Sequence, residues 1–217
     1  MTRRVLLGAL VLAPFTDLAA QAAQRAYAPM SLSGNDRADL KRISLYLDGI
    51  HTMRARFEQK APDGGLASGE IYLRRPGLMR VQYEAPVPTL LIADGVWISY
   101  YDTQLDQWSK IPISQSPLWF LLQDKIDFTP ANTVTSIERF PGALRVSLYE
   151  TENPDAGSTS ITLADYPLQL KRWAIEDSQG TQIEIALRDV VIGGALCSDL
   201  FVVPRTANHR HGQRIVE

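Results

Sequence analysis

The chain is 217 residues long, 45% hydrophobic and 21% charged, with 22 Lys and Arg against 24 Asp and Glu and a formal net charge of -2. Those proportions exclude wholesale disorder and a collagen-like repeat, and they give no electrostatic case for a nucleic-acid partner. A single cysteine, Cys197, excludes an intramolecular disulfide and a cysteine-cluster zinc site, and three histidines (His51, His209, His211) leave little material for metal or acid–base chemistry.

Residues 1–23 read as a signal peptide: Arg3 and Arg4 form a positive start, Val5 to Phe15 an apolar run, and small residues follow, with cleavage sites after Ala20, Ala22 or Ala23. The run is too short to cross a bilayer of about 30 Å as a helix, and Pro14 and Asp17 sit badly in a buried one. The arginine pair permits twin-arginine export; general secretion fits better. No cysteine lies near the cleavage region, so the mature chain has no N-terminal lipidation site. It also loses Arg3, Arg4 and Asp17, which takes the net charge from -2 to -3.

From Asn35 to His51 the apolar residues Leu40, Ile43, Leu47 and Ile50 recur at steps of three and four. That spacing predicts one amphipathic helix, capped at Asn35 or Asp36 and stopped at Gly49. The period then changes to two. Met53, Ala55 and Phe57 alternate with arginines in Thr52–Lys60, Ile71 and Leu73 share a face in Ser68–Arg74, and Met79, Val81 and Tyr83 share one in Leu78–Glu84. Turn signals at Asp63-Gly64-Gly65, Arg75-Pro76-Gly77 and Asp94-Gly95 separate these runs and the hairpin Thr89–Ala93/Val96–Tyr101. Further strand-like runs lie at Gln107–Ile111, Thr133–Arg139, Leu144–Glu150, Ser158–Ala164, Leu168–Glu176 and Thr181–Val190.

About eleven strands joined by short connections predict a mainly β protein with a few helices, built as a single antiparallel meander. The rhythm breaks at Ser116–Leu122, where a serine cap, a proline and residues apolar in every direction predict a buried helix lying across or inside the sheet. A sheet of this size curls, and two helices covering its concave face leave room for a void, so the architecture points to a container.

Motifs for chemistry are missing. No Gly-x-Ser-x-Gly elbow, His-Glu-x-x-His, Walker loop or dinucleotide fingerprint occurs. The Ser31–Asp36 stretch is a loop and helix cap, His209 and His211 are two residues of a polar tail, and Asp102 and Asp106 fit a solvent-facing turn better than a calcium loop. Cys197 reads as a buried or half-buried packing residue. The four tryptophans, Trp97, Trp108, Trp119 and Trp173, read as core packing, with cavity lining as the other option.

A helix running into Leu47-Asp48-Gly49-Ile50-His51-Thr52-Met53, then Phe57-Glu58-Gln59, Gly69-Glu70-Ile71-Tyr72-Leu73, Arg75-Pro76-Gly77-Leu78-Met79-Arg80, Tyr83-Glu84-Ala85-Pro86, Ile92-Ala93-Asp94-Gly95 and Tyr100-Tyr101-Asp102 form a recognisable succession. With the Pro112–Leu122 region after them, they resemble the periplasmic outer-membrane lipoprotein carriers of the LolA type, from about residue 40 to Pro204. The resemblance implies an unclosed β-barrel with a helical lid over a hydrophobic cavity. It implies a non-enzymatic soluble shuttle that needs no cofactor or metal. Acylated lipoproteins would be taken from an inner-membrane ABC transporter and delivered to the outer membrane, where some carriers meet a lipid-anchored receptor.

On that reading the chain divides into a signal peptide (1–23), a flexible segment (24–34), a single carrier domain (35–204) and a polar tail (205–217), and a monomer is the natural state of a shuttle. The resemblance also implies that Arg75, just before the proline, bonds the lid and holds it closed. It places Met79 where the family carries an aromatic residue at the cavity. The apolar faces supply the remaining acyl-chain candidates: Met53, Phe57, Ile71, Leu73, Val81 and Tyr83 from the strands, with Leu118, Leu121 and Leu122 from the inner helix. A carrier for a free lipid or glycolipid keeps the same fold and changes the cargo. An exported enzyme would need a nucleophile or carboxylate pair, for which Ser33 and Asp36 are the nearest material.

Overall fold

A computed structural model describes residues 28–60, 64–86, 89–102, 106–128, 131–177 and 179–204. The expected signal peptide and polar tail, including His209 and His211, lie outside the described residues.

Helix α1 spans Gly34–Asp48, and its cap is Ser33 rather than Asn35 or Asp36. Ser33 Oγ accepts from the Asp36 amide at 3.2 Å, while the Asp36 carboxylate accepts from the Ser33 amide at 2.8 Å and its hydroxyl at 2.6 Å. This reciprocal box satisfies helix-end donors that would otherwise be orphaned. It also accounts for the two residues that an enzymatic reading would have needed. Leu40, Ile43 and Leu47 face inward, and Gly49 ends the helix with its amide on the Leu45 carbonyl.

Among the described residues eleven strands follow: β1 Thr52–Lys60, β2 Leu66–Arg74, β3 Leu78–Tyr83, β4 Thr89–Asp94, β5 Trp97–Asp102 and β6 Gln107–Pro112, then β7 Asn132–Phe140, β8 Ala143–Glu150, β9 Gly157–Ala164, β10 Gln169–Asp177 and β11 Gln182–Ile192. They form one antiparallel sheet in the order β6-β5-β4-β3-β2-β1-β11-β10-β9-β8-β7. The expected single meander is therefore two, β1–β6 and β7–β11, joined where β1 pairs with β11. The edges β6 and β7 are successive in the chain and do not pair, which leaves the barrel unclosed. The connection between them carries a 3-10 turn at Ile113–Gln115 and helix α2, Trp119–Leu122. At four residues α2 is shorter than expected: Ser116 and Pro117 precede it, and Ser116 Oγ accepts the Leu118 amide at 3.3 Å.

Buried side chains from both arms of the sheet meet both helices in one core, so the sheet curls around them. Its inner face carries Met53, Ala55 and Phe57 of β1, Ile71 and Leu73 of β2, Met79 and Val81 of β3, and the alternating apolar residues of β8 and β9. A bulge sharpens the curl at the central seam: Arg54 pairs with Val191 but Arg56 with Arg188, and Asp189 takes a φ of 50°. Gly69 makes room on the inner face, because a Cβ there would sit 2.7 Å from the Phe57 ring and 2.1 Å from the Gln82 carbonyl oxygen.

The outer face of β3 and β4 is covered by a C-terminal 3-10 turn, Ser198–Phe201, that alternation could not foretell. The Arg74 guanidinium lies 4.8 Å from the Phe201 ring centre, and Arg80 donates to the Leu200 carbonyl at 3.2 Å. Cys197, expected to be at least half-buried, is exposed at the start of this turn, because only Phe201 inserts beneath it. Of the tryptophans only Trp173 is fully buried, and Trp97 is 42% exposed near the β6 edge.

Candidate functional site

The turn between β2 and β3 places Arg75 under the end of helix α1. Gly77 takes a φ of +79° there, and a Cβ would lie 2.8 Å from the Gly95 Cα, so the two hairpin turns touch only because residue 77 has no side chain. The Gly77 amide donates to the Leu122 carbonyl at 2.9 Å, and the Arg75 amide to that of His51 at 2.8 Å.

Arg75 is 9% exposed. Its Nε donates to the Ile50 carbonyl at 2.8 Å, one terminal nitrogen to the Gln123 carbonyl at 3.3 Å, and the other to the Leu47 carbonyl. The rigid fork of a guanidinium suits such a cluster of carbonyls, one of them, that of Leu47, from the negative end of α1 and one, that of Ile50, from just past it. Burial lowers its pKa, and the charges of Asp48 and Asp124 oppose that shift. A single side chain thus bonds the exits of both helices.

Beneath Arg75 the inner face converges on a small apolar pocket. Leu47 and Ile50 descend from the end of α1, Leu121 from α2 and Ile126 from the segment after it. Met53, Leu73, Met79, Leu170 and Trp173 rise from the strands. The Trp173 indole N–H is buried with no partner among the described residues. Of the expected cavity residues, Met53, Leu73, Met79 and Leu121 line this pocket. Phe57, Ile71, Val81 and Leu122 are buried elsewhere in the same core, and Tyr83 and Leu118 are half-buried against it. The Tyr83 ring meets Phe57 edge-on at 5.1 Å and its hydroxyl donates to Gln59; burial pushes its pKa up to about 12.

The pocket does not provide the expected void. Its free space is about 10 Å³, no more than the roughly 10–15 Å³ that one water molecule needs. The physical reason lies in the energy of a dry hollow. At ~24 cal/mol per Å³, leaving ~300 Å³ of ligand-sized space empty costs on the order of 7 kcal/mol, a large part of the ~5–15 kcal/mol that stabilises a domain. The helices drop their own side chains into the space.

The inner face is not covered everywhere. Register carries Val81 to Leu91, Tyr100 and Ser109, and Met79 to Ala93, Ile98 and Ile111. Tyr100 is 42% and Ile111 44% exposed, and Leu91 is half-buried. The apolar wall therefore runs on past the lid toward the β6 edge. The sequence reading missed this strip because alternation in β5 and β6 is masked by aromatic and polar residues on both faces. Leu47, Ile50 and Leu170 are pocket residues that the sequence does not single out, and Trp173 takes the cavity-lining option rather than simple packing. Their inward periodicity was visible, but their convergence with β1–β3 depends on the β1–β11 seam.

Known proteins resemble this chain in sequence. A protein of Pseudomonas fluorescens named outer-membrane lipoprotein carrier protein is 31% identical over 175 residues, which span 76% of this chain and 84% of that one. An uncharacterized protein of Rickettsia prowazekii is 26% identical over 117 residues, and the match spans only about half of each chain, 54% of this one and 55% of that one. The crystal structure of a LolA superfamily protein from Nitrosomonas europaea aligns at a TM-score of 0.44 and 11% identity, covering 76% of this chain and 97% of that one. The profile described as outer membrane lipoprotein carrier protein LolA matches residues 48–204, from the last residue of α1 through the C-terminal turn. With that match taking in the whole sheet, Arg75 and α2, the chain belongs to the LolA family of outer membrane lipoprotein carrier proteins.

Proposed function

We propose that the protein is a periplasmic carrier that receives the acyl chains of lipoproteins on the inner face of its sheet. It collects them from an inner-membrane ABC transporter and releases them at the outer membrane, to a lipid-anchored receptor where one is present. The observation that carries this reading is the apolar inner face, closed by helices that Arg75 bonds at their exits and open along the Leu91, Tyr100 and Ile111 strip.

Exposing an acyl chain of about fifteen methylenes to water costs ~12 kcal/mol at ~0.8 kcal/mol per methylene. Opening the lid withdraws Leu47, Ile50, Leu121 and Ile126 from the pocket. Each fully buried side chain of this size is worth ~1.5–3 kcal/mol, so the four offset ~6–12 kcal/mol of what the cargo gains. Near-balance between cargo and lid is what a shuttle requires: the chain binds, and reclosure of the lid helps to expel it.

Arg75→Leu removes the bonds that favour reclosure. A carrier loaded with a triacylated lipoprotein and mixed with acceptor membranes should then retain its cargo, with release slowed about tenfold or more for ~1.4 kcal/mol of lost closure. Delivery at the wild-type rate would overturn the assignment. Native mass spectrometry of carrier isolated from the periplasm separates an acylated protein from a free lipid or glycolipid, and a free lipid alone would replace the lipoprotein reading.

A further inference from the structure

A second concavity lies on the outside of the lid. It is a groove of about 480 Å³ between the outer side of α1 and residues 125–128. Its floor is apolar: Leu40, Ile126 and Phe128 are buried, and Leu32 is half-buried. Around it stand Arg37, Lys41 and Lys125, all exposed and without an ion pair among the described residues. The acidic groups nearby are Asp48 and Asp127, and the Asp48 carboxylate already accepts the Ile126 amide at 2.8 Å.

From Arg37 to Asp48 the helical wall is about 16 Å long, which matches roughly three turns of helix or five residues of extended chain. The recessed floor is out of reach of a flat bilayer, and only Leu45, 66% exposed, projects beside the cations. A polypeptide segment can enter where a membrane surface cannot. The charge of this chain's own flanking sequences is wrong for the role. Residues 1–27 bring Arg3, Arg4 and Arg25 against Asp17, and residues 205–217 bring Arg205, Arg210 and Arg214 against Glu217.

We infer that this groove docks an acidic amphipathic segment of a partner protein, with apolar side chains on Leu40, Ile126 and Phe128 and carboxylates on Arg37, Lys41 and Lys125. The groove is coupled to the interior. Ile126 lines both the outer groove and the pocket beneath Arg75, so one side chain is the partition between them. It is held to α1 through Ser44, whose hydroxyl donates to the Ile126 carbonyl, and through Asp48. A segment wedged along this wall displaces Ile126 and loosens the lid. Docking stands independently of the cargo; the coupling rests on the carrier reading.

The test uses the full mature chain and a fluorescein-labelled peptide of about twelve residues built from Glu-Leu-Leu-Glu repeats, roughly three helical turns. The expected result is binding at least about tenfold tighter than that of the Lys-Leu-Leu-Lys counterpart, weakening as salt is raised. The double variant Lys41→Glu/Lys125→Glu, checked for an unchanged melting temperature, should reverse the preference, while Lys171→Glu on β10 should leave it unchanged. Equal binding of both peptides would overturn the proposal. So would an unaffected double variant, binding confined to phosphatidylglycerol vesicles, or occupation of the groove by a second copy seen as concentration-dependent dimers.

Coupling is read by entry of the neutral apolar dye N-phenyl-1-naphthylamine. The acidic peptide should raise dye entry into the wild type and not into Ile126→Ala. Dye entering Arg75→Leu but never responding to peptide overturns the coupling. Dye failing to enter even Arg75→Leu counts against the carrier reading instead, and leaves docking to be judged by the peptide data.

Discussion

The two arms of the sheet hold helix α1 in different ways. The β7–β11 arm grips it with charge. Arg139 of β7 lies 2.7 Å from both Asp36 and Asp39, Arg42 lies 2.6 Å from Asp165 in the turn before β10, and the Tyr46 hydroxyl accepts the Leu170 amide at 2.9 Å. The β1–β6 arm offers the helix no ion pair among the described residues, and its polar hold on the helix and the chain just after it is Arg75, through side chain and backbone. Besides the Arg75 bond to Gln123 at its exit, helix α2 has one neutral tie to each arm: the Gly77 amide on the Leu122 carbonyl, and the Thr159 hydroxyl on that of Pro117 at 2.9 Å. At four residues it also lacks the length to persist unaided. The difference teaches where the closed state divides. Helix α1 is built into the β7–β11 arm, and on the proposed carrier reading the seam that Arg75 spans is where an opening would start.

The largest expected effect breaks the gripping arm itself. Trp173→Ala empties the β10 side of the pocket and should lower stability by about 3–5 kcal/mol, read as one cooperative unfolding transition shifted in urea. Loss of protection confined to α1 and residues 118–126 would show that Trp173 serves the lid alone.

A smaller change sharpens the comparison. Arg75→Lys keeps the charge and gives up the fork, so about one charge-assisted bond should be lost, ~1.5–3 kcal/mol. Hydrogen exchange should speed up at the end of α1 and around Gln123 while β7–β9 stays protected. Uniform acceleration across the sheet would remove the distinction between the arms.

The smallest effects belong to the ion pairs. Arg139→Ala exposes the start of α1 but removes a side chain that is 44% exposed, so stability should fall only slightly, and less at high salt. The Asp36 carboxyl is held down to about 2, first by the Ser33 hydroxyl, then by Arg139, then by the Ser33 amide. A lowered carboxylate pKa stabilises the fold above its ordinary value of 3.8, and that contribution is lost as pH falls toward 2. Ser33→Ala should raise the midpoint seen by carboxyl-carbon NMR. An unchanged midpoint would mean that the capping box does not set it.

Much of the fold was legible because alternation and helical spacing are local. The strands came within about two residues, and the face of α1 was correct. The cap was misplaced although its signal was present, since Ser33 followed three residues later by Asp36 is the spacing of a reciprocal box. The pocket was legible only in part. Met53, Leu73 and Met79 lie on neighbouring strands, whereas Leu170 and Trp173 arrive through the β1–β11 pairing of segments more than a hundred residues apart in the chain. The strand count and turn lengths say nothing about which distant strands close that seam.

By itself the sequence determined the period of each element, the turns that carry glycine, and the presence of an arginine beside a proline at a hairpin end. These follow from backbone sterics and from which side chains water excludes, both decided within a few residues. Tertiary structure alone decided that the meander splits, that the guanidinium meets three carbonyls, and that the interior closes on itself. Those outcomes depend on surfaces brought together across the whole chain, and an unfilled apolar space costs too much to stay open when side chains are near enough to occupy it.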